Sequence, residues 1–332
     1  SGKIVKKKFS SNKNILNSYL PVDTHFLVKR FLNIWKPKKI FFIDSEIWPN
    51  FINEIKIRKI KLFLINARIT NKSFIRWKKV SNFAKTNFSS FNACVTSNEE
   101  SKNLLKKLGG KNIQYFGNLK FTPSLKNYKK LDKKNLKILK VKKVWCASNT
   151  HYNEELFCIK SHLELKKKIK NILTIIVPRH INRVKEIEKI CEKFKLKTQI
   201  LSEDQSIKIN SEIVIINSFD VLLKYYNYCK IVFIGKSLVK KLKNVSGQNP
   251  LEAAKLGCKI YHGPYVYNFK DIYNYLKNEK ISFEVNNHKI LSKKMMADFK
   301  HSNNSRVQII NKLNKVGDKI FKKTVNYIEG FN

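Results

Sequence analysis

The strongest constraint on this chain is a rhythm of short β-branched or aromatic runs alternating with amphipathic stretches of helical length. The runs predict strands at residues 39–43, 61–65, 93–96, 113–116, 144–147, 173–177, 213–216, 231–234 and 259–262. Between them the periodicity predicts helices at 23–35, 73–88, 98–108, 154–168, 182–194, 219–228 and 250–256. Strand, helix and strand at this spacing fold into parallel sheets with helices on both faces, an α/β protein. A last stretch, 304–328, repeats apolar residues at helical intervals (Val307, Ile310, Leu313, Val316, Ile320) and is expected to pack back on the first domain.

At 332 residues the chain sits at the upper limit for one core, so two domains of roughly 150 residues each are expected. The rhythm breaks at 122–140, where Pro123 precedes a lysine-rich stretch of poor periodicity. The expected division is 1–125, a linker at 126–140, a second domain at 141–303 and the terminal helix at 304–332. Two such domains facing a cleft would place ligands at the carboxyl ends of their strands. The chain enters abruptly at Ser1-Gly2-Lys3-Ile4-Val5, without an initiator Met, which reads as the middle of an incomplete first domain.

The net charge of +44 admits three readings. Lysine and arginine could neutralise nucleic-acid phosphates, or draw the protein to an anionic membrane or substrate. A lysine-biased proteome would also place lysine at every tolerant surface position. Because the lysines spread along the whole chain (Lys38–Lys39, Lys106–Lys107, Lys166 to Lys168, Lys322–Lys323), bias ranks first and nucleic acid last. Cys94, Cys146, Cys158, Cys191, Cys229 and Cys258 form no CxxC or Cys/His cluster, and read as reduced core residues. No apolar run is long enough for a transmembrane helix.

Chemistry-bearing residues collect at the predicted strand ends. Val177-Pro178-Arg179-His180 closes one strand; Arg179 suits a bidentate phosphate contact, and an ordinary polar loop is the alternative. Ser148-Asn149-Thr150-His151 closes the preceding strand, with Glu154 and Glu155 entering the next helix. Gly235-Lys236-Ser237-Leu238 is a small-residue turn where a ligand could approach the backbone. Asn249-Pro250-Leu251-Glu252 has the spacing of a helix N-cap with a capping box. The same spacing could set Glu252 on ribose hydroxyls and an anion at the helix start. Asp44-Ser45-Glu46-Ile47-Trp48-Pro49-Asn50 ends the first strand, where acidic groups could bind hydroxyls or exchange protons; alternatively Ser45 caps the next helix and Glu46 is surface. P-loop, GxGxxG, HExxH and GxSxG elements are absent, and no DxD pair suggests a metal-bridged donor.

Taken in order, these stretches resemble the bacterial 3-deoxy-D-manno-octulosonic acid (Kdo) transferases of lipopolysaccharide biosynthesis. The family pattern E-T-E-L-W-P-N is similar to residues 44–50, N-A-R-[LI]-S-x-[RK]-S to 66–73 and G-[NS]-[LI]-K-F to 117–121. S-T-H-x-x-E-E is similar to 149–155, V-P-R-H matches 177–180, and G-G-S-L with N-P-L-E is similar to 235–238 and 249–252. G-P-H-x-x-N-F resembles 263–269, so the likeness runs through most of the chain with its order kept.

The resemblance implies a GT-B glycosyltransferase of two Rossmann-like domains. It implies an inverting, metal-independent transfer of Kdo from CMP-Kdo to a lipid A precursor, at the cytoplasmic face of the inner membrane, with no cofactor beyond the donor substrate. Carried over, Ser148, Thr150, His151, Arg179, His180, Gly235, Ser237, Asn249 and Glu252 would bind the donor, Arg179 at the phosphate and Glu252 at the ribose. Glu46 and Arg68 would support the acceptor side. The family's proposed base, a Glu in H-x-x-S-x-G-E, would lie upstream of Ser1, as would its hydrophobic anchor. Three departures stand out: Lys236 replaces a glycine, Asn217–Leu222 replaces D-T-x-G-E-L, and extra residues near Lys243 to Val245 precede Asn249. A diverged or inactive GT-B protein and a basic nucleic-acid-binding protein are the alternatives.

Overall fold

The computed structural model describes residue 9 and residues 12–122, 131–202, 205–219, 221–300 and 304–331. Two compact units emerge, one of Ser1–Leu119 with Ile320–Asn332 and one of Lys120–Lys319.

The first unit holds a four-stranded parallel sheet of β1 (Lys39–Ile43), β2 (Lys61–Ala67), β3 (Ala93–Thr96) and β4 (Ile113–Gln114), in that spatial order. Helices α1 (His25–Trp35), α2 (Pro49–Ile57), α3 (Asn71–Lys78), α4 (Ser81–Phe88) and α5 (Glu99–Lys107) connect and cover the strands. The fully buried Leu62, Leu64 and Cys94 of the sheet meet Val28, Ile55 and Phe88 of the helices. Each such side chain contributes about 1.5–3 kcal/mol through the water it sheds. Helix α1 stops where Lys36 turns left-handed (φ 40), ahead of Pro37, which cannot continue a helix. The single helix expected over 73–88 is two: Val80 leaves helical geometry, and Trp77 folds over Phe88 with ring centroids 5.2 Å apart. Nothing in the periodicity marks that corner, because both halves keep helical spacing.

The second unit is built on a seven-stranded parallel sheet. It comprises β5 (Lys143–Thr150), β6 (Ile172–Pro178), β7 (Thr198–Leu201), β8 (Ile213–Ile216), β9 (Ile231–Ile234), β10 (Lys259–His262) and β11 (Ser282–Glu284). Their order is β11-β10-β9-β5-β6-β8-β7. Helices α6 (Lys133–Val141), α7 (Glu154–Lys166), α8 (Val184–Lys193), α9 (Leu222–Tyr226), α10 (Leu251–Lys255), α11 (Lys270–Asn278) and α12 (His288–Lys300) flank it. The final helix α13 (Asn304–Glu329) begins in this unit, and its residues from Ile320 belong to the first. Central strands are continuous apolar runs because both faces are covered, so they are legible in sequence. The two edge strands, β7 and β11, are short and half-polar and gave no such signal.

Of the stretch expected as a linker at 126–140, residues 126–130 lie outside the described residues. Residues 133–141 form α6, whose N-cap Asp132 accepts the Asn135 N–H at 2.8 Å. All six cysteines are buried free thiols, matching their reading as core residues. Burial pushes the Cys94 thiol up to about 12 and Cys191 to about 11, keeping them protonated and unreactive. Among the described residues no helix is long and apolar enough to cross a membrane.

Candidate active site

In the second unit the chain runs from β5 to β6 on one side and later returns to β9 on the other. This is the topological switch point where parallel sheets bind ligands. The carboxyl ends of β5, β6 and β9 carry the three stretches singled out above. Strand β5 ends in an irregularity between Ser148 and Thr150, with Asn149 left-handed at φ 52. That twist turns Ser148 and Thr150 inward, both fully buried, and leaves His151 half-buried at the tip. The Ser148 hydroxyl lies beside the Tyr226 phenol, in the interior.

Strand β6 delivers Arg179 and His180, both exposed, with the Arg179 N–H donating to the Thr150 carbonyl at 3.0 Å. The His151 and His180 rings meet edge-on with centroids 5.8 Å apart. His151 Nδ1 lies 3.1 Å from the Asn149 carbonyl, which only accepts, so Nδ1 carries the proton and Nε2 is the free face. Burial, then the charges of Lys236, His180 and Arg179, hold its imidazole below the usual histidine range, while the bond to Asn149 opposes them.

The loop after β9 is the most constrained part of the site. A side chain at Gly235 would stand 2.5 Å from the Asn149 carbonyl oxygen, so the backbone that glycine admits is that of β5. Lys236 takes φ 57, a left-handed geometry that explains why the family pattern has glycine there. Glu154, at the start of α7 and 1% exposed, turns its carboxylate into this loop. It accepts the N–H groups of Lys236 at 2.7 Å, Ser237 at 2.8 Å and Leu238 at 2.9 Å, and that of His151 at 2.9 Å. Burial dominates and holds the Glu154 carboxyl above its ordinary value, while the four N–H donors oppose it. Every one of these partners donates and none accepts, so the ionised form is the one that fits. Ser237, fully buried, donates to the Ile234 carbonyl and accepts the Gly263 N–H, leaving no hydroxyl for a ligand.

Glu154 was not singled out from sequence for this role. Its signals were an acidic pair at a helix start, which reads equally as helix-dipole complementarity, and a place in the S-T-H-x-x-E-E likeness, which by itself gives it no role. Its neighbour Glu155 is gripped by Arg183 from the turn after β6.

A pocket of about 230 Å³ opens at this edge, lined by Asn149, Pro178, Arg179, Ser218, Phe219 and Glu252 among others. Glu252 and Arg179 thus share one cavity. Helix α10 begins at Leu251, one residue later than expected, and the Asn249 side chain accepts the Leu251 N–H at 3.1 Å. Asn249 therefore acts as a turn residue at the helix start. Ser218, Phe219, Val221 and Leu222 of the diverged stretch line the same pocket as Glu252, and Asp220 lies outside the described residues. The residues near Lys243 to Val245 form a 3-10 turn (Lys240–Val245) closed by the Ser246 hydroxyl on the Lys243 carbonyl.

The first unit has its own constellation at the ends of β1 and β2. Asp44 (φ 59) and Asn66 (φ 53) are both left-handed, and Asn66 Nδ2 donates to Asp44 Oδ1 at 2.6 Å. Asn66 Oδ1 accepts the Leu119 N–H, so the 117–121 stretch meets the 66–68 stretch. The Ser45 hydroxyl donates to the Arg68 carbonyl at 2.8 Å, so Ser45 does not cap α2. That cap comes from Asp23, whose carboxylate accepts the Asn50 and Phe51 N–H groups. Glu46 is exposed, with its carboxylate held by the Trp48 indole N–H at 2.9 Å.

Residues 1–123 match the family model for 3-deoxy-D-manno-octulosonic-acid transferase. The chain is 30% identical over 293 residues to a 3-deoxy-D-manno-octulosonic acid transferase of Rickettsia prowazekii, covering 88% of this chain and 62% of that protein. It is 28% identical to the Haemophilus influenzae transferase of the same description, covering 84% and 65%. A bifunctional glycosyltransferase/methyltransferase of Fusobacterium nucleatum is 31% identical, covering 85% and 44%. The chain thus spans about half to two thirds of the length of these relatives. Among solved structures, a Rickettsia africae glycosyltransferase superposes with TM-score 0.59 at 13% identity, covering 99% of this chain and 88% of that one. A putative UDP-N-acetylglucosamine 2-epimerase of Listeria monocytogenes reaches 0.60 at 11% identity, with 99% and 87% covered. These structural likenesses carry the fold, the GT-B type implied by the motifs. The ordered motifs and the alignments over most of its length lead to one conclusion: residues 1–123 carry the 3-deoxy-D-manno-octulosonic-acid transferase family domain, and the chain as a whole is similar to the transferases of that family.

Proposed function

We propose that this protein transfers Kdo from CMP-Kdo to a sugar hydroxyl of a lipid A precursor, with inversion and without a metal or other cofactor. The observation that carries the reading is the meeting of Arg179 and Glu252 in one pocket at the carboxyl edge of the second sheet. A guanidinium there neutralises the phosphate of CMP and the charge that develops on it as the glycosidic bond breaks. A carboxylate in the same cavity accepts the ribose hydroxyls. The acceptor oxygen attacks the anomeric carbon from the opposite face and gives its proton to a base. Glu46 and Arg68, on the first unit, are assigned to the acceptor side. The net charge of +44 suits an anionic lipid acceptor in an anionic leaflet, the cytoplasmic face of the bacterial inner membrane.

Titration calorimetry with CMP, against UMP and a short DNA duplex at physiological salt, tests the donor reading. Saturable binding of CMP in preference to UMP is expected. Duplex binding without a CMP response would overturn it and make the charge the working feature.

A further inference from the structure

Four backbone N–H groups converge on one buried carboxylate in the second unit, and that arrangement does more than cap a helix. Successive N–H groups around a left-handed residue make a concave anion-binding nest, the device that loops elsewhere use to cradle phosphates. Here the nest at Lys236, Ser237 and Leu238 is already filled, by Glu154. The loop therefore has no N–H left for a ligand phosphate at these three positions. Recognition of a phosphate at this edge falls to side chains, and those gathered there are the cationic Arg179 and Lys236 with the imidazoles of His151 and His180, whose ring centroids are 5.8 Å apart; Lys236, His180 and Arg179 all lie close enough to act on His151 electrostatically.

Glu154 ties two of those four directly. It holds the Lys236 N–H from the β9 loop and the His151 N–H from the β5 tip, 82 and 3 residues away in sequence. The left-handed φ of 57 at Lys236 is unfavourable for a lysine and persists where surroundings over-determine it. The two Glu154 oxygens supply that determination, each accepting two N–H groups.

We infer that Glu154 is a positioning residue: an internal carboxylate that occupies the loop's anion nest and thereby fixes His151 and Lys236 as a side-chain site for the donor's phosphate. The ligand named here rests on the donor reading above; the filled nest does not.

The test is chemical rescue. Glu154→Ala leaves a small cavity lined by four N–H donors, which formate can enter. Its CMP affinity should fall roughly tenfold or more, the usual scale for losing charged hydrogen bonds. Formate should restore most of it, along with the melting temperature, when chloride at equal ionic strength does not. Glu154→Gln keeps the volume but turns an N–H acceptor into a donor facing donors. It should shift the His151 imidazole resonances and its titration curve, and formate should not help because the space is filled. Should the Ala variant not fold, the Gln variant carries the test alone. Unaltered His151 titration and CMP affinity in Glu154→Gln, or a defect in Glu154→Ala that formate leaves untouched, would overturn the inference. If the unaltered protein binds no CMP, the donor reading fails by itself. The formate-dependent melting and the His151 resonances then still decide whether Glu154 fills and organises the nest.

Discussion

Arg183 grips Glu155 with two parallel hydrogen bonds, Nη1 to Oε1 at 2.7 Å and Nη2 to Oε2 at 3.3 Å. The carboxylate side chain is 1% exposed and the guanidinium 16%, so the pair is shielded from water. Arg183 also holds Glu186 and lies over the Tyr152 ring. It thus joins the turn after β6 to the start of α7, next to the Glu154 nest. Removing one partner strands a buried charge, which costs about 3–5 kcal/mol. Arg183→Ala should lower the urea midpoint of the second unit accordingly. Arg183→Lys should recover only part, because an ammonium cannot make the two-pronged contact.

Arg179 makes the opposite case. It is exposed, and among the described residues only its backbone N–H is tied to the fold. Arg179→Ala should leave thermal stability within about 0.5 kcal/mol of the parent. It should cost about 1.5–3 kcal/mol of CMP binding by calorimetry. Unchanged CMP affinity would sink the phosphate assignment.

His151 predicts a pH dependence. Its imidazole is held below the usual range by burial and by the neighbouring cations. A bound phosphate opposes both effects and raises its pKa, so binding takes up a proton. CMP affinity should therefore rise as pH falls through the range below the ordinary histidine value of about 6.5. His151→Gln should flatten that rise in calorimetric titrations.

His162 predicts acid sensitivity of the fold. It is fully buried on α7, its Nδ1 2.8 Å from the Thr174 hydroxyl, and burial drives its pKa down to about 4. Between about 4 and 6.5 the unfolded chain binds a proton there that the folded chain does not, so stability rises with pH in that window. Full stability is reached above about 6.5, and about 3 kcal/mol is lost as pH falls toward 4. His262, buried with the same downward shift to about 4, adds a loss of the same sign. Melting temperatures across that window should show the fall, and His162→Gln should reduce its slope.

Lys236 predicts a gain. A left-handed lysine costs about 1 kcal/mol, and glycine adopts that geometry freely while gaining entropy in the unfolded chain. Lys236→Gly should therefore raise stability by up to about 1 kcal/mol in denaturant melts. The same change should weaken CMP binding by removing one cation, a split between stability and affinity that no packing defect would produce.

Alternation of apolar runs and amphipathic stretches, by itself, determined the parallel α/β architecture and most central strands. Buried parallel strands must be apolar on both faces, so 93–96, 213–216, 231–234 and 259–262 could be read to the residue. Local sequence also placed Arg179, His180 and His151 at strand ends, since an ending apolar run is visible without any neighbour. Only the tertiary structure decided what those ends do. The left-handed turns at Asn149 and Lys236 decided that Ser148, Thr150 and Ser237 face inward, because one residue of register flips a side chain to the other face. The side-by-side pairing of β5 and β9 decided that Gly235 makes room for protein backbone. Glu154 could be recognised only once a loop 82 residues away had closed on it, because a carboxylate and the N–H groups that satisfy it share no sequence pattern.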